Sequence, residues 1–428
     1  MSEDKHRKMV WFSTEIWYGF QLVYTKVMEA QISHTAINLF FVVHNFSGAK
    51  TYVDELSLFL TGNTDVNVYK VYLKCVGHKE FSTENINSST CIYLPEKVTL
   101  EYDPLYYRRA AQLVFSNYRE LRNVILHANM PEQFYFVKEA KEFFQCPVVF
   151  TCHFLIGSYS CYDKITGYSG ENIDKVNVLE EFVTELADQA VCVTEFGRHT
   201  LANIHKLDLN KKRVIYNGKS VPNLPENSKV TKLRYGFAQK DQLILYAGQL
   251  DPMKGVDKLI EAFLISNNSF SKIKLMIAGH GYYDRYIFLA QQCIGWIYFM
   301  GNLDNDTFNK FYRFSDVGVI PSQCEQCTYV AIGMMQNKLP VIISDTPGLN
   351  ELITHKITGL ICRIQPHSSS QNLLEVDVTD LALQIQYKLV NNAEAKEKAY
   401  NQVSVYNSLI NMGEATLDIY QKLNKGCD

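Results

Sequence analysis

The sequence predicts an α/β protein made of two doubly wound units, and three observations carry that expectation. Short apolar runs alternate with helical stretches from residue 37 onward, which favours parallel sheets covered by helices. A stretch rich in Pro, Asn and Gly, residues 214–228, interrupts the alternation and reads as a linker, with a boundary near 216. The alternation then restarts at Leu243, and 428 residues suffice for two or three domains with sizeable cores.

Composition narrows the function classes. Hydrophobic residues make up 47% and charged residues 20%, as in an ordinary soluble globular protein. The net charge of −3 gives no basic field for nucleic acid. No apolar run approaches the roughly 20 residues of a membrane helix. The first residues are charged (Glu3, Asp4, Lys5, Arg7, Lys8) and do not read as a signal peptide. The 11 cysteines are odd in number and irregularly spaced, which fits reduced thiols and a cytoplasmic location, with peripheral membrane contact as an option. The 27 Tyr and 24 Phe fit large, well-filled cores.

Taken in order, Trp17, Phe20, Tyr24, Val27 and Met28 fall at helical spacing over residues 13–31. This amphipathic helix suits packing on a domain surface, with a partner interface or a membrane-surface contact as the alternatives. The first strand, 37–43, ends before Gly48 and Ala49, and a helix carrying Tyr52, Leu56, Phe59 and Leu60 follows. Gly48 serves either a tight turn or a close backbone approach to a ligand. Further strands are expected at 68–73, 124–127, 148–151, 190–193 and 214–216, with helices at 103–120 and 133–144. His127 and His153 stand at strand ends, where ligands of such sheets bind. From position alone, each is open between a ligand contact and a satisfied polar residue. Thr194 reads as a helix cap.

In the second half, a strand at 243–247 leads into Gly248-Gln-Leu-Asp-Pro-Met-Lys-Gly255 and a helix at 256–263. Lys254 is either a phosphate contact or a solvated lysine near a turn. Gly279 and Gly281 follow a strand at 273–278; they admit a base or ribose, or simply form turns, and Gly301 reads as a turn. Asp304-Asn-Asp306 precedes a helix, so Asp306 is expected to be its N-cap rather than a metal ligand. A strand at 317–320 then ends in Pro321-Ser322, a loop carries Glu325, and a helix runs over 328–335 before the strand 339–343. Such a helix start offers unpaired N–H groups and the positive end of a dipole to a diphosphate. Glu325 either accepts sugar hydroxyls or simply favours its own helix N-terminus. Cys324 and Cys327 form a lone CxxC without a second pair or nearby histidines, so they read as loop residues, not zinc ligands. Residues 393–423 are helical in pattern.

Several of these motifs together resemble the retaining glycosyltransferases of the GT-B fold, family 4. Pro321-Ser322, Glu325, the helix and Leu339-Pro340-Val341 resemble the donor signature. Gly248 to Leu250 with Lys254-Gly255 resembles the phosphate loop. Gly279-His280-Gly281 resembles a Gly-Asp-Gly turn. Residues 191–201 resemble the strand and helix closing the first domain, and Asn217-Gly218 the domain junction. The likeness runs from about 37 to 425 and is strongest in the second half. Three positions depart from the pattern: Gly333 replaces the ribose-holding Glu, Gln249 an Arg, and His280 an Asp.

The resemblance implies a GT-B protein of two Rossmann-like domains facing a central cleft. It would have an N-terminal helical extension at 1–34 and an acceptor domain at 35–215. A nucleotide-sugar domain at 216–395 would precede a C-terminal helix, 396–428, crossing back to the first domain. The implied reaction transfers a sugar, most simply from a UDP-sugar, with retention and without metal or other cofactor. Glu325 and His153 would hold the sugar. Lys254, Gln249, Gly248, Cys327, Thr328, Tyr329 and Val330 would hold the diphosphate, Gly279 and Gly281 the nucleoside, and Gly48, Ala49 and His127 would face the acceptor. Cations belong at the diphosphate because negative charge grows on the leaving oxygen. Members with Glu-Gln-Cys at this place hint at a peptide or protein acceptor; a glycan or a lipid-linked sugar is the other option. The departures at Gln249 and Gly333 leave a second reading, a GT-B-shaped subunit that presents an acceptor to an active partner.

Overall fold

The computed structural model describes residues 36–44, 48–62, 65–75, 78, 80–95, 104–154, 170–205, 212–221, 232–267, 273–293, 295–367, 370–390 and 395–425. The expected helix over 13–31 and residues 222–228 of the linker lie outside them. The chain forms two compact units, one of residues 1–151, 179–190 and 417–428, the other of 152–178 and 191–416.

The first sheet contains β1 (Ile37–His44), β2 (Val66–Cys75), β3 (Ser82–Ile86), β4 (Ser89–Pro95), β5 (Val124–Ala128), β6 (Val148–Cys152), β7 (Gln189–Cys192) and β8 (Lys212–Val214), in the order β3-β4-β2-β1-β5-β6-β7-β8. The helices between them are α1 (Gly48–Leu60), α2 (Pro104–Ser116), α3 (Phe134–Phe144), α4 (Gly170–Leu186) and α5 (Glu195–His205). β1 pairs in parallel with β2 and β5, as the alternation predicts. The purely parallel expectation needs one correction. β3 runs antiparallel to β4, because Asn87 and Ser88 both adopt positive φ (49° and 60°) and make a two-residue hairpin turn. The last expected strand also shifts, from 214–216 to β8.

Aromatic rings fill this core. Phe40, Phe41, Tyr52, Tyr107, Phe115 and Phe136 are fully buried, and Phe40 stacks on Tyr69 at 4.4 Å while meeting Phe115 edge-on at 5.5 Å.

The second sheet contains β9 (Gln242–Ala247), β10 (Ile273–Ala278), β11 (Ile297–Gly301), β12 (Val317–Ile320), β13 (Val341–Ser344) and β14 (Leu360–Cys362), ordered β11-β10-β9-β12-β13-β14 with every recorded pair parallel. Its strands are apolar on both faces because each face is covered. One face packs against α6 (Val256–Asn267), α7 (Tyr283–Ala290) and α10 (Val378–Val390), through Leu259, Phe263, Tyr286 and Ile385. The other packs against α8 (Asn305–Phe314), α9 (Tyr329–Gln336) and α11 (Ala395–Tyr406), through Phe311, Ile332, Met335 and Val403. An antiparallel hairpin, β15 (Ile364–His367) with β16 (Ser370–Val376), and the final helix α12 (Leu409–Lys425) were not resolved by sequence pattern as separate elements. Asp304, not Asp306, caps α8. Asp304 is extended (φ −72°, ψ 162°) and its carboxylate accepts the Thr307 N–H at 2.8 Å, whereas Asp306 already lies in the first turn.

Candidate functional site

Counting strands of the second sheet in chain order gives 3-2-1-4-5-6, which reverses direction between β9 and β12. In open parallel sheets the crevice at such a reversal, beyond the carboxyl ends of the strands, is the place for a ligand. The loop after β9 carries Lys254 and the loop after β12 carries Glu325.

Local chemistry shapes the first loop. Asp251 accepts the Met253 N–H and starts a single 3-10 turn, Pro252–Lys254. Gly255 ends it with φ 65°, and any Cβ there would collide with the Pro321 carbonyl oxygen. That close approach ties the loop to its neighbour, as does the Gln323 N–H, which donates to the Met253 carbonyl at 2.8 Å. The Lys254 ammonium thereby reaches the Glu325 carboxylate at 2.7 Å, with both side chains 20% exposed. Burial alone would push Lys254 down; the facing Glu325 charge and hydrogen bond outweigh it and hold the ammonium above its ordinary value. Gln249 is exposed, while its backbone carbonyl accepts the Tyr246 hydroxyl at 2.5 Å.

Beside this pair begins α9. Thr328 is its N-cap, accepting the Val330 N–H at 3.3 Å, and Tyr329 and Val330 are half-buried in the first turn. Cys327 is buried, its thiol pushed up to about 12 by burial, and its carbonyl accepts the Asn217 amide at 2.6 Å. A thiol held protonated is neither a nucleophile nor a metal ligand at neutral pH. Gly333 lies on α9, where a Cβ would stand 3.2 Å from the Tyr312 ring and 3.3 Å from the Lys219 ammonium. A cation and a ring thus border the position at which the family pattern carries a carboxylate.

Gly248, Gly279 and Gly281 serve loop-to-loop contact. Gly248 donates to the Ala278 carbonyl at 3.0 Å and Leu250 to the His280 carbonyl at 2.7 Å. A Cβ at Gly279 (φ 148°) would collide with the Gly248 carbonyl, and one at Gly281 with that of Leu250. The approach that demands glycine is backbone against backbone. His153 follows β6 and is grouped with the second unit, and burial lowers its imidazole to about 3, so it is neutral at physiological pH.

The acceptor-side residues fare differently. His127 is fully buried, with Nδ1 2.5 Å from the Tyr420 hydroxyl and Nε2 2.6 Å from the Thr151 hydroxyl. Both ring nitrogens are engaged inside the core, which corrects the expectation that His127 faces an acceptor. Gly48 opens α1 with nothing near an added Cβ, so no close approach explains it among the described residues, and Ala49 is buried. Thr194 caps α5 as expected, its hydroxyl accepting the Gly197 N–H at 3.0 Å.

Sequence reading missed Glu351. Its carboxylate accepts the Glu195 and Phe196 N–H groups at 2.9 and 2.8 Å and the Tyr216 hydroxyl at 2.9 Å, so it binds the positive end of α5. The partners lie 135 to 156 residues away in sequence, and no local pattern marks such a contact. Among the described residues no His, Cys, Asp and Glu group is arranged to hold a metal ion, and no helix is long and apolar enough to cross a membrane.

Comparison with known proteins places this geometry in a family. The model for Glycosyltransferase Family 4 matches residues 46–219, and the model for glycosyl transferases group 1 matches residues 229–376. An uncharacterised glycosyltransferase of Methanocaldococcus jannaschii is 28% identical over 268 residues, spanning 60% of this chain and 65% of that protein. The chain matches half or less of the length of two further curated relatives, 50% and 35%. Among solved structures, the sucrose-phosphate synthase of Thermosynechococcus elongatus superposes with a TM-score of 0.74 at 18% identity, covering 91% of this chain and 100% of that one. The HepE protein of Anabaena, solved with UDP-glucose, superposes with a TM-score of 0.69 at 13% identity, covering 90% and 100%. These structures share the two-sheet fold, and with one family model on each half, the chain belongs to the family-4 glycosyltransferases of the GT-B fold.

Proposed function

We propose that this protein transfers a sugar from a nucleotide-sugar donor, a UDP-sugar, to an acceptor hydroxyl or amide with retention of configuration. The observation that supports it most is the Lys254–Glu325 pair at 2.7 Å, set at the sheet reversal beside the start of α9. A donor bound there separates the pair usefully: Lys254 turns to the diphosphate and Glu325 to the sugar hydroxyls. The exposed Gln249 side chain and the first turn of α9 add neutral donors for the same anion. As the bond from the anomeric carbon to the phosphate oxygen breaks, charge grows on that oxygen, and Lys254 stabilises it more than the ground state. The acceptor attacks from the same face, its proton passes to the departing phosphate, and no protein nucleophile is used. His153, neutral, positions a sugar hydroxyl. We infer no need of a metal, since Asp304 is committed as a helix cap, its carboxyl held low by the Thr307 N–H. The Anabaena relative, whose structure holds UDP-glucose, supports UDP as the nucleotide.

The test is calorimetric titration with UDP, UDP-glucose, UDP-N-acetylglucosamine and a GDP-sugar, on the protein and on Lys254→Ala. Micromolar binding of one donor, weakened tenfold or more by Lys254→Ala, is expected, about 1.4 kcal/mol per tenfold. A folded protein that binds none of these donors overturns the reading in favour of an acceptor-presenting subunit.

A further inference from the structure

The first unit holds a cavity of about 390 Å³ remote in sequence from every residue of the donor site. Alternation along two neighbouring strands builds its floor: Lys70 and Tyr72 from β2, and Ser89, Cys91 and Tyr93 from β4, all turned to one face. Tyr72 and Tyr93 stand opposite each other in the register and stack at 5.1 Å, and His78 stacks on Tyr93 at 4.7 Å, giving an aromatic wall. One side is α1, which contributes Lys50 and Asp54; the hairpin turn contributes Asn87.

The charges do not cancel. Asp54 takes the Lys50 ammonium at 2.6 Å and the Lys70 ammonium at 2.9 Å, so two cations of the lining face one carboxylate and the cluster carries a net charge of +1. Burial works to raise Asp54, yet the hydrogen bonds and charges of Lys50 and Lys70 hold it below its ordinary value, so it is ionised at neutral pH. The Lys70 side chain is 10% exposed, and a cation at that depth is ordinarily matched by a counter-charge. Here the carboxylate is shared with Lys50. The volume falls in the range of small-ligand sites, with a few polar groups converging on a half-open pocket.

We propose that this cavity binds a small hydroxylated molecule bearing one anionic group, a carboxylate or a phosphate, such as a sugar acid or a sugar phosphate. The anion completes the pairing of Lys50 and Lys70. Asp54, Asn87 and Ser89 meet hydroxyl groups, and the Tyr72–Tyr93 wall lies against the carbon face of the ring. The site is independent of the donor crevice and does not rest on the reading of that crevice.

The test titrates the full chain with glucuronate, with glucose 6-phosphate and with uncharged glucose. It repeats this on Lys50→Glu, which reverses a charge on the half-exposed helix flank without opening the core, and on Lys70→Met. The expected result is saturable binding of one anion, at least about tenfold tighter than glucose, and weakened about tenfold or more by Lys50→Glu. Which anion binds separates the carboxylate from the phosphate source. Glucose binding as tightly as both anions overturns the proposal, as does unchanged anion affinity in Lys50→Glu or no saturation by either anion at about 20 mM. If Lys70→Met fails to fold, Lys50→Glu decides alone. UDP affinity unaltered in Lys50→Glu is also expected, and a parallel loss of UDP binding overturns the claim of a separate site.

Discussion

Both units wind their sheets about a reversal of strand order, and the two reversals are furnished in opposite ways. In the second unit the reversal between β9 and β12 carries an ion pair, Lys254 and Glu325, each side chain a fifth exposed. In the first unit the described polar groups at the reversal between β1 and β5 are neutral and bonded within the protein. Asn129 and Gln133 both donate to the Val42 carbonyl, at 3.3 and 3.1 Å, and His127 at the end of β5 is locked between Thr151 and Tyr420. Among the described residues, the same topology therefore gives one crevice poised for a charged ligand and one whose polar groups are tied into the core. A strand-end position alone does not make a site. What decides is whether the polar groups there are satisfied by the protein or held in a pair that a ligand can divide.

The largest test of this contrast is Lys254→Ala. Deletion of one cation at a developing phosphate charge should lower transfer by about 10² to 10³-fold. Circular dichroism should be unchanged, since only a partly exposed pair is lost; a loss of fold instead would make the pair structural and erase the contrast. His127→Leu should do the reverse. It leaves the buried Thr151 and Tyr420 hydroxyls without that partner, which should destabilise the chain by about 2–4 kcal/mol in urea unfolding while any folded fraction keeps its donor affinity. Gln249→Arg should sharpen the charged crevice, tightening UDP by about tenfold, or about 1.4 kcal/mol, by restoring a fork suited to phosphate. Unchanged affinity would show that Gln249 does not face the diphosphate.

The smallest effect concerns pH. With His153 lowered to about 3, its imidazole is neutral in the folded chain from pH 5 to 8, so activity should show no step traceable to it. Because an unfolded histidine takes up a proton near 6.5, the contribution of neutral His153 to stability is present above that pH and lost as pH falls toward 3. The difference in unfolding free energy between the protein and His153→Gln should therefore shrink between pH 7 and pH 5. A constant difference would mean that His153 titrates normally.

Much of the frame was legible in the residues. The strand, loop and helix order around Glu325 and the glycine-bounded loop holding Lys254 follow from short-range rules of period, turn and cap. The correct cap at Asp304 was missed by two residues, since three polar residues in a row all satisfy the composition rule and only backbone dihedrals choose among them. The β3–β4 hairpin was missed because Asn87-Ser88 lacks the usual glycine, although both residues still adopt positive φ.

By itself the sequence determined the fold class, the family and the two loops that meet at the second reversal, because alternation, spacing and backbone freedom are local properties of the chain. Only the tertiary structure decided that Lys254 and Glu325, 71 residues apart, neutralise each other, that Glu351 holds the start of α5, and that His127 belongs to the core. Those outcomes depend on which distant groups share a low-dielectric space, and hydrogen bonding and charge pairing there are set by packing rather than by neighbours in sequence.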